Sequence, residues 1–93
     1  MTDTLPFDSI TISALQTTMV VALTKYGNET PLSPNVTDGR KLGILMSEVG
    51  EVADAMIGNH HNKELVKELM QTAAMALAWA QSLDRSEGTY DND

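Results

Sequence analysis

Apolar residues recur at three- and four-residue intervals along three stretches of this chain, and polar segments rich in glycine, proline or asparagine separate them. That is the period of helices buried on one side. The first stretch carries Ile12, Leu15, Met19, Ala22, Leu23 and Tyr26, which predicts a helix from about Ile12 to Tyr26 and a core role for those six. Asp8, Ser9 and Thr11 are each able to cap its start, and Gly27 suits the position just past its end. Residues 28–36, "NETPLSPNV", have no period and two prolines that remove backbone donors, so they read as a loop. Such a loop is a connector first and a cover for a site second. Thr37 then caps a second helix with Asp38 in its first turn; it runs to about Ile57 and stops at Gly58 and Asn59. Asn62 caps a third, which continues to about Leu83.

The expected fold is all-α, a small helical bundle of three main helices. Residues 1–8 read as a flexible tail, with Pro6 hindering a helix there, residues 9–85 as the helical domain, and residues 86–93 as a disordered acidic tail. After Glu68 the third helix has no charge until Asp84, and the run "LMQTAAMALAWA" is rich in small and soft side chains that let helices approach closely. Three helices provide too little protein to wrap so apolar an element. A homo-oligomer, dimer or tetramer, is therefore expected to complete the bundle.

Against this pattern, four polar residues stand out. Placed at about 100° per residue, Glu48 falls within roughly 60° of Lys41, Ile44, Leu45, Val52 and Ala55, inside the apolar stripe of the second helix. Glu51 lies at the edge of that stripe. On the third helix Glu68 aligns with Leu65, Thr72, Met75 and Trp79, and Gln71 lies about 60° to one side. The short turn between the helices brings three carboxylates and one amide to a single place. Carboxylates taken out of water need positive charge nearby, because desolvation costs several kcal/mol per charge. Lys63 and Lys67 begin the third helix and Arg40 and Lys41 the second, but a hard divalent cation bound by oxygen ligands answers the need directly. The plainer alternative is ordinary exposed glutamates paired with lysines four residues away. Two polar pairs three residues apart, Glu48/Glu51 and Glu68/Gln71, on apolar faces of consecutive helices favour the site. Adjacent His60 and His61 in a polar turn read as exposed rather than as metal ligands.

The segments "KLGILMSEVGEVADAM" (residues 41–56) and "NKELVKELMQTAAMALAWAQSLD" (residues 62–84) resemble the MazG-like all-α nucleoside triphosphate pyrophosphohydrolases. The preceding "LQTTMVVALTKYG" is similar to that family's first helix, so the resemblance spans roughly residues 15–84. The family is recognised by Glu-x-x-Glu on one helix and Glu-x-x-Asp on the next, four carboxylates that bind Mg²⁺. By this resemblance Glu48, Glu51 and Glu68 are the catalytic metal ligands, and Gln71 occupies the fourth ligand position, where the family has aspartate. Lys25, Tyr26 and Lys41 are candidate substrate contacts, although core or plain surface is the first reading for Lys25 and Tyr26, as for Gln16.

Composition narrows the classes. The chain has 93 residues, enough for one domain, and no cysteine, so neither a disulfide nor a thiolate zinc site supports the small core. The net charge of −7 is uneven: Asp84, Glu87, Asp91 and Asp93 against Arg85 leave the last ten residues at −3, and Asp3 and Asp8 add two more negatives. No basic patch or aromatic ladder marks a nucleic-acid surface, and no run is apolar enough to span a bilayer, so neither a nucleic-acid polymer nor a membrane is an expected partner. A cytoplasmic location is expected. The resemblance implies a Mg²⁺-dependent enzyme that cleaves a nucleoside triphosphate or related nucleotide to monophosphate and pyrophosphate. Gln71 favours an alternative, a weakly active or inactive nucleotide-binding protein that sequesters or regulates. A plain interaction protein using residues 69–80 leaves the buried acids unexplained.

Overall fold

The computed structural model describes residues 6–58 and 62–87, so His60 and His61 lie outside the described residues. The first helix, α1 (Ser9–Tyr26), starts three residues earlier than its apolar period suggests. Of the three possible caps it is Asp8 that serves, its carboxylate accepting from the Thr11 amide at 2.7 Å. That bond holds the Asp8 carboxyl below its ordinary range. Gly27 ends the helix at φ 53°, a conformation that suits glycine, and its amide donates to the Leu23 carbonyl.

The connector is built rather than loose. A single 3₁₀ turn, Gly27–Glu29, passes into successive turns in which Ser33 donates to the Thr30 carbonyl at 3.0 Å and Asn35 to the Ser33 hydroxyl at 3.1 Å. Thr30, Pro31, Ser33 and Val36 are buried. Thr37 then caps α2 (Asp38–Ile57), accepting from the Arg40 amide at 3.2 Å, and Gly58 closes it by donating to the Asp54 carbonyl at 2.8 Å. The third helix, α3 (Asn62–Glu87), outruns its expected end at Leu83. Ser86 and Glu87, assigned above to a disordered tail, belong to the helix; no glycine or proline interrupts the chain before Gly88, so propagation adds a hydrogen bond per residue. Residues 88–93 lie outside the described part.

The three helices fill an envelope of 43 × 39 × 21 Å with α3 as the spine, α1 and α2 each packing along it. α2 and α3 run antiparallel: near the start of α2 the Lys41 ammonium donates to the Ser82 hydroxyl at 2.8 Å and the Trp79 indole N–H to Asp38 at 3.0 Å, and further along Glu48 and Glu51 meet Glu68. Among the described residues the buried apolar side chains are few, Pro31, Val36, Ala55, Ala74, Met75 and Ala78, and half of them are alanine. α1 has no fully buried residue. Of its six expected core residues, Leu15, Met19 and Ala22 are half-buried while Ile12, Leu23 and Tyr26 stay exposed, because a helix with a single neighbour covers only one side.

Thr37 supplies the side-chain acceptor at the start of α2, so Thr37→Ala is expected to lower stability by about 1 kcal/mol and Thr37→Ser by less. Urea unfolding followed by helical circular dichroism measures both.

Candidate functional site

Glu48 and Glu51 stand one turn apart on α2, and Glu68 stands in the first half of α3. Antiparallel helices joined by the Lys41–Ser82 and Asp38–Trp79 contacts bring Glu48 and Glu51 to the stretch of α3 that carries Glu68 and Gln71. One carboxylate oxygen from each of Glu48, Glu51 and Glu68 lies within 4.8 Å of the others. Glu48 and Glu68 are half-buried and Glu51 is exposed, the order the helical projection implies.

Within this group, one oxygen each of Glu48 and Glu68 is out of contact with solvent and has no hydrogen-bond partner. Loss of water raises the Glu48 carboxyl above its ordinary 4.5, and the charges of Glu51 and Glu68 raise it further. Glu68 is raised in the same way, first by loss of water, then by the charge of Glu51 and a hydrogen bond between the two carboxyls that requires a proton, and also by Glu64; Lys67 opposes the shift. Buried carboxylate oxygens without donors are costly, and an all-oxygen donor set of this kind suits a hard divalent cation.

The carboxylates border a cavity of about 660 Å³ between α1, the 27–36 connector, α2 and α3. Gln71 lines it together with Glu68, and an amide carbonyl is a neutral oxygen donor. Lys25 and Tyr26 line it from α1, the Lys25 ammonium 5.9 Å from the centre of the Tyr26 ring. Gln16 instead borders a second groove between α1 and α3, of about 410 Å³.

Lys41 is not among the cavity-lining residues, contrary to its expected role as a substrate contact. It is 3% exposed and spends its ammonium on Ser82, because its aliphatic stem runs inside the α2–α3 seam. Its neighbour Arg40 reaches the cavity, forming an exposed ion pair with Glu29 at 2.8 Å. Trp79 is likewise removed from the acids. A projection down the axis aligns it with Glu68 but ignores the rise of about 1.5 Å per residue, which sets them roughly 16 Å apart.

Sequence reading did not single out Arg40 and Lys67 as ligand contacts, nor Thr17 and Thr18 as part of the wall. Thr18 and Lys25 stand seven apart with Val21 and Ala22 between them, a helical face that could be read once the cavity was known to need α1. No family model, curated protein or solved structure matches the chain.

The raised carboxyls fix the sign of one pH dependence. Groups whose folded pKa lies above the unfolded value favour folding fully below the ordinary carboxylate range, and that contribution is lost as pH rises through the folded values. Without divalent cation, the melting temperature is expected to decline from about pH 4.5 towards neutrality more steeply in the parent than in Glu48→Gln or Glu68→Gln. Asp8 acts in the opposite direction, its contribution falling away as pH drops through its depressed value. Calorimetry across that range compares the slopes, and equal slopes would mean that the acids do not crowd one another.

Proposed function

We propose that the chain is a Mg²⁺-dependent pyrophosphohydrolase of the MazG-like class, cleaving a nucleoside triphosphate or related nucleotide to its monophosphate and pyrophosphate. The observation that supports this reading best is the convergence of Glu48, Glu51 and Glu68 within 4.8 Å, with buried, unpartnered oxygens on two of them, at the wall of a cavity that also holds Lys25, Arg40 and Lys67. The three carboxylates would hold the cation, with the Gln71 amide oxygen as a fourth donor. When bound, Mg²⁺ neutralises phosphate charge and orients or activates the attacking water. Lys25 approaches a phosphate chain from α1, Arg40 from the start of α2 and Lys67 from α3. These groups are cations on separate elements around one space, so a polyanion would bridge them with one end towards the acids. Tyr26 offers a ring edge and hydroxyl at the same wall.

A second reading keeps the site and loses efficient turnover: a nucleotide-binding protein that sequesters or regulates. Gln71 favours it, because an amide at the fourth position supplies an oxygen but no negative charge, and Mg²⁺ then leans more on the phosphates of its ligand. In either reading the protein works as a homo-oligomer in the cytoplasm. Among the described residues no helix is long and apolar enough to cross a membrane.

A panel of nucleotides assayed with Mg²⁺, following pyrophosphate and orthophosphate separately, tests the reaction. Glu48→Gln and Glu68→Gln are each expected to lower pyrophosphate release by about two orders of magnitude or more while leaving the metal-free protein at least as stable as the parent. A sharp loss of metal-free stability would instead make the acids structural partners. Gln71→Asp is expected to tighten Mg²⁺ binding in titration calorimetry. A rise in turnover with it supports the enzyme, and tighter binding without pyrophosphate release supports the binding protein. Unchanged affinity would remove Gln71 from the ligand set.

A further inference from the structure

Four carboxylates line the acidic cavity, and three of them, Glu48, Glu51 and Glu68, gather at one place. Glu29 is the fourth, and it faces a cation instead: its carboxylate accepts from the Arg40 guanidinium at 2.8 Å. Arg40, Lys25 and Lys67 are the positive groups of the same wall, and of these three only Arg40 is ion-paired among the described residues. It is also the group best shaped for phosphate, a planar fork of N–H donors that grips two oxygens at once. Its distance to Glu29 is the one a guanidinium keeps from a phosphate oxygen, about 2.7–2.9 Å. An acid of the chain thus stands where an oxygen of an anionic ligand would stand.

The backbone on both sides of this pair is held, and the side chains are not. Glu29 ends the 3₁₀ turn, and the next residue, Thr30, is buried with its hydroxyl donating to the Gly27 carbonyl at 3.2 Å. Arg40 stands in the first turn of α2, its amide bonded to the Thr37 cap. By contrast the Arg40 and Glu29 side chains are 62% and 61% exposed, so water solvates either one when they part. An isolated pair at that exposure favours the closed arrangement by no more than about fivefold. It yields to a better anion by side-chain rotation, with no helix displaced.

We propose that Glu29 is an internal competitor for Arg40. It occupies the guanidinium in the absence of ligand, gives it up to an anionic group of the ligand, and takes it back as that group leaves. The inference rests on the reading that the cavity takes a polyphosphate chain, and it assigns Glu29 a part in that site without making it a catalytic residue. Glu29 sets how firmly the phosphates are held, and therefore how readily they depart. The sign of its effect separates this role from a structural one. A competitor, once removed, leaves Arg40 open and anion affinity rises; a staple that positions Arg40, once removed, lets the guanidinium wander and both affinity and stability fall.

Titration calorimetry with inorganic tripolyphosphate and Mg²⁺, at about 0.15 M salt to screen exposed charges beyond ~8 Å, tests the proposal. Glu29→Gln is expected to bind about threefold more tightly than the parent, with its urea midpoint unchanged. Arg40→Gln is expected to bind about tenfold more weakly. In the Arg40→Gln background, adding Glu29→Gln is expected to lose most of its threefold gain, because no guanidinium remains to be released. Unchanged or weaker binding by Glu29→Gln overturns the proposal. So does a gain that survives in full without Arg40, which would make Glu29 a general repulsive charge. Tripolyphosphate that binds neither the parent nor Glu29→Gln removes the polyphosphate reading and this inference together, whereas a parent that binds it while the variants break the cycle removes this inference alone.

Discussion

Carboxylates within 4.8 Å of one another repel, and the repulsion grows when two of them lose water. The α2–α3 seam bears that cost because contacts elsewhere along it hold the helices in register. Toward the start of α2, Lys41 reaches Ser82 and Trp79 reaches Asp38. Further along, Ala55 is small enough for the backbones to stay close. With the register set by neutral and singly charged contacts, the acids have no freedom to separate by sliding. Their remaining responses are to keep a proton or to take a cation, and the raised carboxyls of Glu48 and Glu68 are the first of these.

The same seam determines where the rest of the chain goes. α3 is contacted along one side by α2 and along another by α1, while the connector lines the gap between them with its buried Thr30 and Pro31. The gap persists as a cavity because α1 and α2 both take α3 as their main neighbour and do not close on each other. Cavity and crowded acids thus share an origin in a spine helix with partners on two sides.

How much of this could be read from sequence depended on whether a feature is local. The caps at Thr37 and Gly27 and the three helices follow from nearest-neighbour chemistry, and the helical projection separated Glu48 and Glu68 from ordinary surface acids. Which of Asp8, Ser9 and Thr11 begins α1 did not follow, since all three side chains are competent and only backbone geometry chooses. Lys41 was projected onto the buried stripe of α2, where it lies, but its partner Ser82 depends on register between helices. The projection that aligned Trp79 with Glu68 discards distance along the axis, so it could not show that they stand apart. The turns of residues 28–36 have no periodic signal, so their packing was invisible until Pro31 and Val36 were seen buried.

α1 supplies the cavity with Thr17, Thr18, Lys25 and Tyr26, yet none of its side chains is fully buried and its helical neighbour is α3. A segment with so little buried area opens at a small fraction of the free energy needed to unfold the whole domain. Its backbone amides should therefore trade hydrogen for deuterium sooner than those in the middle of α2 and α3. Any ligand that touches Lys25 and the acids together fastens this segment to the hairpin. Part of its binding energy is then spent on ordering α1, and slowed isotope exchange along residues 17–26 would register its arrival without any assay of chemistry.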